Sequence, residues 1–226
     1  MTPEDSDPPE VTFVLVLRSG GEYTIEHVKH LARNILDHAP ATGWSILLLS
    51  DAVIYVGSSA SGGVYARSRS LTEGWPGWWS KMEMFRLPGP CVYLDLDTIV
   101  VGDLRWILDI ARTHEFTMLR DAYRGRTDPL ARQSSVMTWS GDMSRLHAGF
   151  SLCGVGTRPT GPLWSDQNWI ETAEAKITAL QDLAPGKLVS FKVDCHQGPA
   201  PAGASIVYFH GRPRPWQQEA IPYGSQ

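Results

Sequence analysis

Cysteine is scarce in this chain: Cys91, Cys153 and Cys195 in 226 residues, an odd number with no metal-ligand spacing. That argues against a disulfide scaffold and predicts reduced thiols in a cytoplasmic protein. Long apolar runs are missing as well. No uninterrupted stretch approaches the roughly 20 residues of a membrane-spanning helix, so no transmembrane segment is expected. The opening MTPEDSDPPE is acidic and proline-rich, which predicts a disordered lead-in over 1–10 and argues against a secretory signal. Positive charge is in short supply, with 20 Lys and Arg against 24 Asp and Glu and a net charge of −4. Nucleic acid and anionic membranes therefore have no general electrostatic attraction to it.

What is present is a sizeable core. The chain is 42% hydrophobic and 19% charged, the balance of a soluble globular domain. Val11–Leu17 (VTFVLVL) reads as a buried strand, followed by a loop beginning at Arg18. Thr24 can cap a helix running to His38, with Ile25, Val28, Leu31, Ala32, Ile35 and Leu36 on one face. Trp44–Ser50 is the next strand, ending at Asp51. This β-α-β opening predicts a parallel sheet covered by helices. Residues 57–79 read as a long connection closing in WPGWW, and Ser80–Leu87 as a short helix. A helix over Leu104–Arg112 and strands at Glu115–Arg120 and Ser135–Trp139 follow, the two strands separated by a polar loop at Tyr123–Arg132. Ser165–Leu180 reads as a helix, and Lys187–Val193 and Ser205–Phe209 as strands. A single α/β domain over 11–217 is expected, with a polar tail over 218–226.

The stretch that organises the whole is CVYLDLDTIVVGDL, Cys91–Leu104. It reads as one buried strand interrupted by Asp95 and Asp97. Alternation along a strand puts both carboxylates on one side. Two like charges held in a water-poor setting are costly unless one is protonated or a cation lies between them. All-oxygen ligation favours Mg, Mn or Ca. The plainer alternative makes Asp97 a strand-end turn residue and Asp95 a satisfied buried acid. In open α/β sheets, ligands bind beyond the carboxyl ends of the strands. Arg18, Ser19, Asp51, Asp95, Asp97, Asp121 and His210 all fall at such ends and so predict a convergent polar site.

DLD on an apolar strand, SDQNWI further on and HGRPRPW near the end resemble the GT-A glycosyltransferases, and most closely glycosyltransferase family 8. The resemblance runs from Val11 to Trp216 and implies a GT-A-like (Rossmann-like) fold with a mixed, mostly parallel sheet flanked by helices. It implies a metal-dependent enzyme that transfers a sugar from a nucleotide-diphosphate-sugar, UDP-sugar first, to an acceptor hydroxyl with retention. The acceptor would be a glycan, a lipid-linked glycan or a small molecule. The cofactor would be Mn2+ or Mg2+ on Asp95, Asp97 and His210. Lys81, Gly211 and Arg214 would contact the donor diphosphate, with Leu17, Arg18, Ser19 and Asp51 cradling base and ribose. Asp121, Gln133 and Ser134 would face the donor sugar, and Asp166 and Gln167 the reacting carbon. There are three departures, one being that the family's Asn before SGVM appears here as Gln133 followed by SSVM. The family histidine usually lies three residues before the glycine, where this chain has Tyr208, and the lysine of the family's KPW is Arg214 here.

Competing readings are a Mg-dependent phosphatase resembling the haloacid dehalogenase superfamily, with DLDTI as nucleophile motif, and a non-catalytic carbohydrate-binding protein. Asp166 could equally cap its helix. The nine tryptophans include Trp75, Trp78 and Trp79, which read either as a platform for an acceptor sugar or as a loop packed on the core. His27 and His30 have helical ligand spacing but read as solvated.

Overall fold

The computed structural model describes residues 10–52, 66–153 and 165–223. The opening unit forms as the sequence predicts. Strand β1 (Val11–Leu17) leads through helix α1 (Ile25–His38) to strand β2 (Trp44–Ser50), which pairs parallel with β1. The i, i+3, i+4, i+7 set Val28, Leu31, Ala32 and Ile35 is buried, because that spacing keeps one helical face on the sheet. At the start of α1 the His27 ring reaches back to the Thr24 N–H, 2.9 Å away.

The chain then departs from expectation in ways that matter for the site. Part of the connection is a strand, β3 (Ala66–Ser70), paired parallel to β2; residues 53–65 lie outside the described part. Consecutive 3₁₀ turns run over Gly77–Arg86. The organising apolar run is not one strand. It splits into β4 (Cys91–Leu94) and β5 (Thr98–Val100), which belong to different sheets. Between them the chain turns at Asp95-Leu96-Asp97, closed by Thr98 N–H and Oγ1 donating to the Asp95 carbonyl at 3.0 and 2.7 Å. The aspartates therefore sit on a tight turn, and strand alternation is not what brings them together.

Helix α2 (Arg105–Thr113), strands β6 (Phe116–Arg120) and β7 (Arg132–Trp139) and helix α3 (Ser144–Leu152) follow. The expected long helix from Ser165 stops early, as α4 (Asp166–Ala173). Beyond it, Thr178–Ala179 forms β8 on the edge of β6, and the Arg132 guanidinium holds the Ile177 carbonyl. Pairing to the sheet edge overrides local helical pattern there. A short helix α5 (Leu180–Leu183) and strands β9 (Leu188–Ser190) and β10 (Ile206–Tyr208) complete the described chain. Residues 218–223 pack rather than trail: Ile221 is buried, and Tyr223 stacks on His30 with ring centroids 3.8 Å apart.

The main sheet has the order β3-β2-β1-β4-β7-β6-β8, and a second sheet the order β5-β10-β9. The first four strands of the large sheet run parallel, and β7 is antiparallel to both β4 and β6. One face buries its core under α1 and α2, the other under the 3₁₀ turns, α3 and α4. The chain leaves β1 towards β2 and returns on the opposite side at β4, so a crevice opens beyond the carboxyl ends of β1 and β4.

Candidate active site

A pocket of about 550 Å³ fills that crevice. Arg18 enters it from the end of β1, Asp95 and Asp97 from the β4–β5 turn, and Lys81 from the 3₁₀ turns. Because β7 is antiparallel, its beginning reaches the pocket, bringing Gln133 and Ser134. Asp166 and Gln167 stand at the start of α4, where Ser165 caps the helix by accepting the Asn168 N–H at 3.3 Å. His210, Gly211 and Arg214 come from the segment after β10. Gly211 adopts φ +68°, a left-handed conformation that favours glycine. Most residues expected at the site thus converge on one cavity.

The two cations expected to meet a donor, Lys81 and Arg214, hold the acids of the site. Lys81 Nζ lies 2.8 Å from Asp95 Oδ1 and 3.0 Å from Asp166 Oδ2. Burial alone would depress that ammonium, but the carboxylates of Asp166 and Asp95 hold it well above its ordinary range, so it stays charged. Ser134 Oγ donates to the same Asp166 oxygen at 2.6 Å. Asp166 is buried within this net, while the Gln167 side chain makes no hydrogen bond among the described residues. Tyr93 Oη donates to Asp95 Oδ1 at 2.5 Å, and the Ser135 carbonyl accepts the Asp95 N–H at 2.8 Å.

Asp97 is held from the other side of the pocket. Its Oδ2 accepts from Tyr23 Oη at 2.9 Å and from Arg214 Nη1, and the Arg214 guanidinium also pairs with Glu22 at 3.0 Å. Burial first, and the charge of Asp95 second, push the Asp97 carboxyl up to about 6 despite Tyr23, Arg214 and Lys81. Sequence reasoning missed both tyrosines. Tyr93 was within its reach, two residues before Asp95. Tyr23, in a loop, carries no such signal.

The donor set can be tested for a divalent cation. Each aspartate ties one oxygen, Asp95 Oδ1 and Asp97 Oδ2, to protein donors. Asp95 Oδ2 and Asp97 Oδ1 make no hydrogen bond among the described residues. Two hard carboxylate oxygens on one turn, with the charge of Asp95 raising the Asp97 carboxyl, suit Mg or Mn. Among the described residues no group of three or more His, Cys, Asp or Glu side chains is placed to hold a metal ion together. His210 lines the pocket, but its Nε2 is 2.9 Å from Ser190 Oγ. The neighbouring Tyr208, at the family's histidine position, is buried.

Four expected residues lie outside the pocket lining. Leu17 is buried at the end of β1. Asp51 accepts the Ser19 N–H at 2.8 Å and Ser19 Oγ at 2.6 Å, clamping the loops after β1 and β2 together, with Arg18 Nε 3.6 Å away. Asp121 accepts the N–H groups of Tyr123 and Arg124 at 2.9 and 2.8 Å and the Arg124 guanidinium at 3.0 Å.

The architecture is that of the GT-A-like glycosyltransferases. Among solved structures, the galactosyltransferase LgtC in complex with donor and acceptor sugar analogues superposes with a TM-score of 0.68 at 12% identity, covering 92% of this chain and 90% of that one. The glycosyltransferase GlyE of Streptococcus pneumoniae TIGR4 gives 0.65 at 12% identity, over 94% of this chain and 57% of its own. The bifunctional WbbM gives 0.60 at 13%, over 96% and 48%. No protein-family profile matches the chain, and no curated protein matches it in sequence. Among the described residues no helix is long and apolar enough to cross a membrane.

Proposed function

We propose that this chain is a nucleotide-sugar-dependent glycosyltransferase, taking a UDP-sugar first among donors and transferring its sugar to an acceptor hydroxyl with retention. The observation that carries the reading is the Asp95–Asp97 turn. At the switch point of a GT-A-like sheet it presents two carboxylates, each with one oxygen anchored and one left over. Those two oxygens would hold Mn or Mg, with donor phosphate oxygens completing the coordination. A cation there would neutralise the negative charge that builds on the leaving diphosphate.

The protein's own groups then have separable tasks. Tyr23 and Arg214 fix Asp97, while Tyr93 and Lys81 fix Asp95, so the ligand oxygens are positioned before the donor arrives. Arg214 and Lys81 add positive potential beside the leaving group. Asp166 orients Lys81 rather than meeting the sugar carbon. Gln167 carries an uncommitted amide suited to hydrogen-bond the transferred sugar, and as an amide it is a poor nucleophile. Same-face attack by the acceptor hydroxyl is therefore favoured over a covalent intermediate. A dehalogenase-type phosphatase finds no support in the fold.

The test is thermal stability with UDP, GDP, CDP or dTDP, each with and without Mn, for wild type and Asp97→Ala. A Mn-dependent rise with one nucleotide, lost in the variant, supports the reading. No nucleotide effect, together with Mg-dependent phosphate release from a phosphomonoester, overturns it.

A further inference from the structure

The three neighbouring tryptophans of WPGWW part company in the fold. Trp75 is buried with its ring edge-on to Phe150 at 4.7 Å, and Trp79 stacks on Phe150 at 5.0 Å. Both are accounted for by packing against α3. Trp78 is not: it is 56% exposed, and it lines the pocket. Among the described residues, the other exposed large apolar side chains, Tyr123, Leu130 and Leu152, do not line it.

Its position follows from the backbone. Residues three apart eclipse on a 3₁₀ turn, so Trp78 and Lys81 share one face of the Gly77–Arg86 segment. At about 2 Å of rise per residue, the two residues are spaced roughly 6 Å apart along the backbone of that segment. Lys81 marks the reacting end of the pocket through Asp95 and Asp166. Gly77, immediately before Trp78, lies in open space: a Cβ built there would meet nothing within 4 Å. The wall of the same pocket also carries the polar side chains Gln133, Ser134 and Gln167.

A flat apolar face in a pocket whose wall also carries polar side chains matches one kind of ligand. A pyranose ring presents an apolar C–H face to an aromatic plane and hydroxyls at its edge. An aliphatic chain would leave those polar groups unpaired, at a cost per buried group. We propose that Trp78 is the stacking platform for a pyranose ring of the acceptor, so that the acceptor is a glycoside. This rests on the glycosyltransferase reading and names the acceptor class for the same site.

The test uses saturation-transfer NMR on the full chain with UDP and diamagnetic Mg present. The probes are the methyl glycosides of galactose, glucose and N-acetylglucosamine, with glycerol as a polyol lacking a ring. Wild type is expected to transfer saturation to the C–H face of at least one glycoside and not to glycerol. The signal should fall at least about 5-fold in Trp78→Ala and be largely retained in Trp78→Phe, as expected for loss of an aromatic contact of about 1 kcal/mol. No glycoside contact in wild type, equal contact in Trp78→Ala, or equal contact with glycerol overturns the proposal. Failure of the glycosyltransferase reading would register separately, as loss of the UDP- and Mn-dependent thermal shift in wild type.

Discussion

Asp97 and Asp121 carry similar sequence signatures, a carboxylate following an apolar strand, and the fold treats them in opposite ways. Asp121 is held by its own turn: the N–H groups of Tyr123 and Arg124 and the Arg124 guanidinium are all within three residues. Asp97 is held from afar, by Tyr23 and Arg214, and one of its oxygens is left over. The carboxyls respond accordingly. Burial pushes Asp121 up, but hydrogen bonds from the Arg124 and Tyr123 backbone and the Arg124 guanidinium more than offset this and hold it below the usual range. Burial and Asp95 raise Asp97 to about 6. A carboxylate satisfied by its own turn organises a loop. One anchored by distant elements, with an oxygen to spare, is equipped for a ligand.

The contrast can be broken at its strongest point by Lys81→Met. Removing a buried cation from between Asp95 and Asp166 leaves two uncompensated acids, with an expected loss of about 3–5 kcal/mol. Urea denaturation would measure it, and sugar transfer should disappear with it. Next comes Asp97→Asn, which keeps acceptors for Tyr23 and Arg214 but removes the ligand charge. Transfer should fall about 100-fold or more, with circular dichroism unchanged. A variant retaining most of its transfer would place Asp97 with Asp121 as a structural residue.

Asp121→Ala is expected to do the reverse. It removes three hydrogen bonds of one turn and should cost about 1–2 kcal/mol of stability, while steady-state transfer stays within a few-fold. The subtlest test concerns sign. An acid with a raised folded pKa binds its proton more tightly in the fold, so ionisation costs stability. Wild type should lose stability relative to Asp97→Asn as pH rises from about 4 to about 6, then level off. For Asp121, whose folded pKa is depressed, the stability is present above its unfolded value of 3.8 and is lost as pH falls through the folded pKa. Chemical denaturation across pH for the two pairs would show opposite slopes.

Elements specified by local pattern were legible in the sequence. Heptad-like spacing gave α1, and continuous β-branched and leucine runs gave β1 and β2. The resemblance of DLD, SDQNWI and HGRPRPW named most of the pocket's residues. What escaped depends on partners distant in the chain. Splitting Cys91–Leu104 between two sheets requires β10 to pair with β5, and no local signal in the run marks that break. The run contains no Lys or Arg, which made the aspartate pair look uncompensated; Lys81 and Arg214 arrive from 14 residues before Asp95 and 117 beyond Asp97. The early end of α4 likewise reflects an edge strand's demand at Thr178, set by β6 rather than by the helix.

The turn at Asp95–Asp97 is also a seam. Asp95 directly follows β4 of the seven-stranded sheet, and Asp97 precedes β5 of the three-stranded one. A ligand held by both carboxylates therefore acts as a rivet between the two sheets. Its binding free energy would appear as slowed amide exchange in β5, β9 and β10 as well as in β4, far beyond the atoms it touches.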